Sequence, residues 1–270
     1  MALSGNHVQE LNQVLGPSGV FALLFLAALV AGAINSIAGG GALITFPALL
    51  FSGVSPITAN ATSNTAMFLG TAASAGGYLK QLKSHRSIAL KLALVSLVGS
   101  ILGAILLLNT SDHIFFKLVP FLILTAALLF TFGPQLNRTL KRTEGAIHLS
   151  TGLLIGEFVV SIYGGYFGAG QGFAILALLT LVGLENIHEL NGVKSFLAAV
   201  INGIAVIPFA LAHAIAWPQA GLMSVAAMLG GFFGARLAQR INPQLVRRAV
   251  LVLAYLLASY FFYRAYFLER

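Results

Sequence analysis

The chain is a succession of long apolar runs separated by short polar connections. Most of the runs reach the roughly 20 residues that a helix needs to cross a bilayer. The pattern predicts helical segments over residues 18–38, 42–52, 57–79, 87–108, 113–133, 146–166, 172–183, 188–212, 217–237 and 244–267. Two of these, 42–52 and 172–183, are far shorter than the rest. At 1.5 Å per residue, such a helix covers only about 17 Å, roughly half of the hydrocarbon core. Each short segment follows a glycine-rich interruption: Ala38-Gly39-Gly40-Gly41 before the first, and Ala169-Gly170-Gln171-Gly172, 131 residues later, before the second. A broken helix frees backbone N–H and C=O groups that hydrocarbon cannot satisfy, so such breaks persist where protein encloses them or where they line a polar cavity. Matched interruptions in two halves of a membrane chain point to a transporter's binding site.

Composition narrows the class. Of the 270 residues, 58% are hydrophobic and only 8% charged, against about 25% charged in soluble domains. A net charge of +8 raises the question of a nucleic-acid partner, but the cations sit in short connections between spans, where positive-inside sorting accounts for them. Lys80, Lys83, Arg86 and Lys91, then Arg138, Lys141 and Arg142, then Arg236, Arg240, Arg247 and Arg248 make up most of the basic residues; these three regions are expected at the cytoplasmic side. The connections 109–113 and 213–217 carry no Lys or Arg and are expected outside. Lys117, Arg264 and Arg270 fit this sorting less well. The chain has no Cys, so disulfide and thiol chemistry are excluded. Met1–Pro17 lacks the basic residues of a signal peptide, so the first apolar run reads as a retained span.

Under this sorting, corresponding connections of the two halves lie on opposite sides. The expected fold is an all-α integral membrane protein of two inverted repeats of about five helices each. The repeats span 18–133 and 146–270, a cytoplasmic linker at 134–145 joins them, and an extracytoplasmic segment at 1–17 precedes them. Both termini are expected outside. Identity between the halves is low, but the matches fall at telling places: Gly39/Gly170, Gly41/Gly172, Asn60/Asn191, Gly99/Gly230 and Gly103/Gly234. The last two pairs form a G-x-x-x-G in each half, a spacing that lets helices approach closely.

The candidate chemistry gathers at the breaks. Thr58-Ala59-Asn60-Ala61-Thr62-Ser63-Asn64-Thr65 is a dense polar run opening a membrane helix, costly unless it faces a partner or a cavity. It reads either as the wall of a substrate cavity or as a helix cap (Thr58 or Asn60) plus interhelical hydrogen bonds. In the second half, Asn191, Lys194 and Ser195 stand at the corresponding place. Lys194 is the one cation well inside a predicted span. It reads as the positive partner of an anionic substrate, as one half of an ion pair with Glu157 or Glu189, or as both. Glu157 is the acidic residue expected at membrane depth, as a proton-coupling carboxyl or as the counter-ion of a cation. Asn35, Gln171 and Asn202 are neutral polar groups near the breaks, with Asn35 and Gln171 the better placed for substrate. The candidate substrate site is thus Asn35, Gly39, Gly40, Gly41, Asn60, Thr62, Ser63, Asn64, Gly170, Gln171, Gly172, Asn191, Lys194 and Ser195. The six His residues show no metal-ligand spacing, and no H-E-x-x-H, Walker A or G-x-S-x-G occurs. Neither an enzyme nor a cofactor or metal is expected.

Together these stretches resemble the TauE/SafE family of membrane transporters. The first signature is Ala38–Pro47 with Gly53-Val-Ser-Pro56 and Ala59-Asn-Ala-Thr-Ser-Asn64; the second is Gly164–Gly172 with Asn191-Gly-Val-Lys194-Ser195. The resemblance covers roughly residues 20–265. It implies a multi-pass protein of a bacterial inner membrane that moves sulfite, a sulfonate or another small organosulfur anion through a central site. Val193-Lys194 stands where the first half has Thr62-Ser63, a departure that bears on the substrate. The resulting expectation is a secondary transporter of a small anion working by alternating access. An uncoupled anion channel, or a permease for a non-sulfur anion, is the alternative. Its partners would be the lipid bilayer, a small anion and a coupling ion, with a homo-oligomer left open.

Overall fold

The computed structural model describes residues 5–37, 39–139, 150–181, 186–237 and 243–268. All regular elements among them are helices: α1 (Gly5–Ile37), α2 (Ala42–Phe51), α3 (Pro56–Gly77), α4 (Leu79–Ser84), α5 (Arg86–Leu108), α6 (Asp112–Thr139), α7 (Thr151–Tyr166), α8 (Gln171–Leu181), α9 (Ile187–Leu211), α10 (Trp217–Leu237) and α11 (Pro243–Tyr263), which ends in a π-helical turn (Arg264–Leu268). Four segments are long and apolar enough to span a bilayer by themselves: Leu15–Ile37, Arg86–Leu108, Ile187–Leu211 and Gln244–Leu268. The two half-length helices appear where the sequence placed them, with 10 residues in α2 and 11 in α8.

Three boundaries differ from expectation. Helix α1 begins at Gly5, inside the stretch 1–17 that was expected to precede the first span; Gly16 (φ 64°, ψ 172°) breaks it before Pro17 opens the apolar part. That first piece is polar, so a search for apolar runs passes over it. The basic stretch holding Lys80 and Lys83 is the short helix α4 rather than an open loop. Helix α6 continues to Thr139 and so enters the expected linker 134–145. Ala38, Lys141, Arg142, Arg240 and the segment ends 146–149 and 182–183 lie outside the described residues.

Burial is arranged as lipid demands rather than as water demands. In α5, Ser96, Gly99, Ser100, Gly103 and Ala104 are buried, while Leu94, Val98, Leu102 and Leu106 point outward. Lipid tails are as apolar as Leu, so helices gain by close contact of small residues instead of by hiding large ones. Both G-x-x-x-G pairs act in this way. A Cβ at Gly99 would lie 2.7 Å from Ser161 Cβ, and one at Gly103 would meet Ile162 O, so α5 lies backbone-close against α7. A Cβ at Gly234 would lie 2.6 Å from Ala33 Cα, and one at Gly230 would meet Leu29 O, so α10 lies equally close against α1.

The pairing is reciprocal: α1 packs along α10 from the other half, and α7 packs along α5. Helices α3 and α9 cross at the centre, each also packed on the partner of the other's half. Residues 59–67 of α3 and 190–195 of α9 are buried without interruption, so these turns are enclosed on every side. The half-helices are enclosed as well. Phe46 of α2 makes edge contacts with Phe115 at 6.1 Å and Phe167 at 5.5 Å, and Leu43, Leu49 and Leu50 are buried.

Candidate functional site

The two glycine breaks meet. After Ile37, the chain turns through Gly39 (φ 87°) and Gly40 (φ 88°); after Tyr166 it turns through Gly168 (φ 76°) and Gly170 (φ 83°). These left-handed conformations are open to Gly and disfavoured for residues with a Cβ. The approach is as demanding as the turns. A Cβ at Gly39 would lie 3.1 Å from Gly172 Cα, one at Gly172 would lie 3.1 Å from Gly39 Cα, and one at Gly40 would lie 2.7 Å from the ring of Phe173. The N-termini of α2 and α8 therefore converge on one point in the protein interior.

Lys194 crosses that point. Its stem runs past Gly172, where a Cβ would lie 3.5 Å from Lys194 Cδ. Its ammonium donates to Asn35 O at 2.8 Å and Ser36 O at 3.3 Å, the last-turn carbonyls of α1. The residue is only 1% exposed. Neither Glu157 nor Glu189 is its partner, which corrects the ion-pair alternative: Glu189 Oε2 lies 2.8 Å from His85 Nε2, and no lysine–carboxylate pair occurs among the described residues. A lysine ammonium has three N–H donors. Two go to α1, and among the described residues none accepts the third. Asn35 also stitches its own break, since its Oδ1 accepts from Gly41 N at 3.3 Å.

The second break is closed by neutral groups. Asn60 Nδ2 donates to Tyr166 O at 2.9 Å and Asn64 Nδ2 to Gly164 O at 3.2 Å, so α3 caps the carbonyl end of α7 much as α9 caps that of α1. Asn64 Oδ1 lies against Gly168, where a Cβ would come within 2.5 Å of it. Tyr163 Oη donates to Ala169 O at 2.6 Å. Neither Thr58 nor Asn60 caps α3; the Ile57 N–H is taken instead by Asp112 Oδ1 at 2.8 Å.

The other candidates disperse around this centre. Ser63 pairs with Thr45 of α2 at 2.6 Å, and Ser195 with Ser74 of α3 at 3.0 Å. Thr62 Oγ1 accepts from Ala216 N at 3.0 Å, at the connection before α10. Gln171 Nε2 donates to Asn202 Oδ1 at 2.6 Å. A Cβ at Gly170 would run into Ala126 of α6. Gln171 Oε1 and Asn191 Oδ1 are buried with no partner among the described residues.

Glu157 lies apart from the crossing, on the face of α7 turned to α5. It is fully buried and its Oε1 accepts from Ser96 Oγ at 2.7 Å, with Ser161 Oγ at 3.5 Å, while Oε2 has no described partner. Ser36, Thr45, Ser96, Ser161 and Tyr163 were not singled out from the sequence. For Ser161 a signal existed, because it stands four residues after Glu157 on the same helix face.

An all-helical chain with apolar spans, small-residue packing and two broken helices meeting in its interior is a membrane-embedded protein of the transporter class. The chain belongs to the TauE/SafE family: the family described as Sulfite exporter TauE/SafE matches residues 24–261. It is similar to a probable membrane transporter protein of Haemophilus influenzae, 34% identical over 243 residues, 89% of this chain and 93% of that one. It is also similar to the probable membrane transporter protein YfcA of Escherichia coli K12, 31% identical over 244 residues and 89% of each chain. A probable membrane transporter protein, ORF9, of a Sinorhizobium species is 29% identical over 240 residues, 88% of this chain and 91% of that one. No solved structure matches.

Proposed function

We propose that this transporter carries a small anion by alternating access through the point where the two breaks meet, and that the anion is sulfite, a sulfonate or another small organosulfur acid. One observation carries the reading. The N-termini of two half-helices converge where Gly39 and Gly172 touch, and the stem of Lys194 runs past that contact to an ammonium held on Asn35 O and Ser36 O with a donor to spare. Helix N-termini present free N–H groups and a partial positive charge, and together with a lysine they suit an oxyanion. Asn35, Gln171 and Asn191 supply the neutral polar wall, while the amides of Asn60 and Asn64 are taken by the carbonyl end of α7. The sulfur class rests on the family description.

The closed surroundings favour a carrier over an open channel. Lys194, Asn191 and His188 recur every three residues along α9 and so share one face. Asn191 Oδ1 and His188 Nδ1 have no described partner, nor has Tyr78 Oη, whose ring stacks on His188 at 6.3 Å between centroids. This strip of polar atoms leads from the crossing to the His85–Glu189 pair beside α4 and marks the path that opens on one side of the membrane. The reciprocal packing of α1 on α10 and α7 on α5 supports two inverted repeats rocking against each other. The exposed Lys80, Lys83 and Arg86 support a cytoplasmic α4 corner in an inner membrane, with both termini outside. No nucleotide-binding motif occurs, so a gradient drives transport, and Glu157 is the proton carrier in this reading.

The test is flux into proteoliposomes of purified protein, measured for sulfite, a small alkanesulfonate and thiosulfate. Saturable uptake of at least one, accumulating against its gradient when a pH gradient is imposed, is expected. Flux of none of them contradicts the cargo class. Flux that does not saturate and never accumulates contradicts the carrier in favour of the channel.

A further inference from the structure

The carbonyl end of α1 lies in the protein interior rather than at a water boundary. The last four C=O groups of a helix lack intrahelical partners and carry its partial negative charge. In transporters with discontinuous helices, such carbonyl ends hold the coupling cation. Here Asn35 O accepts from Gly39 N at 3.1 Å and, together with Ser36 O, from the ammonium of Lys194. The donor comes from α9, in the other half of the chain, and no carboxylate is paired with it among the described residues. Its negative partners are therefore the carbonyls themselves. At the matching end of α7 the donors are the uncharged amides of Asn60 and Asn64.

We infer that Lys194 is a built-in cation, an ammonium tethered to α9 that fills, at the carbonyl end of α1, the place a free sodium ion would take. The geometry fits that role beyond the two hydrogen bonds. The stem reaches the site by passing over Gly172, where a Cβ would lie 3.1 Å from Gly39 Cα and 3.5 Å from Lys194 Cδ. An interior cation without a carboxylate partner is costly unless backbone carbonyls take its place, and the α1 end supplies two, Asn35 O and Ser36 O. Transport then needs no sodium at this site, and the tether links the two halves through one charge. This consequence for coupling rests on the transporter reading. The tether itself does not, so it is tested without any substrate.

The experiment is the thermal unfolding midpoint of the purified full chain in N-methylglucamine chloride, sodium chloride and methylammonium chloride at equal ionic strength. The wild type is expected to unfold at the same temperature in all three. Lys194→Ala leaves the carbonyl end open, so its midpoint should fall in N-methylglucamine and rise by several degrees in sodium or methylammonium. Lys194→Met fills the volume without charge, so its midpoint should fall and respond to neither cation. Stabilisation of the wild type by sodium overturns the inference. So does a Lys194→Ala midpoint that ignores both cations, or a Lys194→Met midpoint that follows them. If Lys194→Ala does not fold, binding of radioactive sodium to the wild type decides: none is expected, and saturable binding overturns the inference.

Discussion

The two breaks have the same construction and different chemistry. Each ends a long helix at glycines with positive φ, each opens a half-helix, and each is closed by side chains from the central helix of the other half. At the α7 end, those side chains are Asn60 and Asn64, both uncharged. At the α1 end, the closing group is the ammonium of Lys194. The construction is what a broken helix needs in a bilayer, since its free carbonyls must be met from within the protein. The difference is what gives the site a sign. The α7 break is met by uncharged groups; the α1 break carries the only described charge at the crossing.

This comparison is broken most severely at the contact itself. Gly39→Val combines a left-handed backbone position with a Cβ that would lie 3.1 Å from Gly172 Cα. Little or no folded protein is expected by size-exclusion chromatography. Gly76, where a Cβ meets nothing within 4 Å, supplies the control, and Gly76→Ala should fold normally.

Next in size is the pair Asn60→Ala with Asn64→Ala. Leaving buried carbonyls unmet costs about 1–3 kcal/mol each, so the unfolding midpoint should fall clearly. The apparent affinity for the anion should change little. Glu157→Gln keeps the Ser96 and Ser161 hydroxyls supplied with an acceptor, so stability should hold. In proteoliposomes, however, the imposed pH gradient should no longer drive accumulation, and a variant that still accumulates the anion removes Glu157 from the coupling role. The smallest effect is expected for Tyr163→Phe. It loses the hydroxyl that donates to Ala169 O at 2.6 Å and also lies 3.2 Å from Leu122 O, worth about 0.5–1.5 kcal/mol, with flux close to wild type.

The helices were legible because hydropathy reports what faces lipid. Both half-helices and both breaks followed from where the apolar runs stop, and the G-x-x-x-G pairs announced the close helix contacts. The partners at the breaks were not legible. Lys194 meets a carbonyl 159 positions away and Asn60 one 106 positions away. Which backbone group a buried side chain meets depends on the rotation and register of helices, and a pattern of apolar residues leaves both unspecified. The expected ion pair of Lys194 with Glu157 or Glu189 shows the difficulty. Opposite charges in one apolar chain invite pairing, yet Glu189 is held by His85 at the α4 corner and Glu157 by the hydroxyls of Ser96 and Ser161. The short helix α4 was hidden for a related reason, since its cations read as a loop when only crossing segments are sought.

The unequal roles of the two breaks are tested most directly by the concentration dependence of anion uptake in two variants side by side, Lys194→Gln and the double variant Asn60→Ala with Asn64→Ala. Removing the charge should weaken apparent affinity by about tenfold or more, the equivalent of about 1.4 kcal/mol. Removing the two amides should leave the affinity near wild type and lower the unfolding midpoint instead. Equal affinity losses in the two variants, or wild-type affinity in Lys194→Gln, would contradict the assignment of the charged break as the anion site.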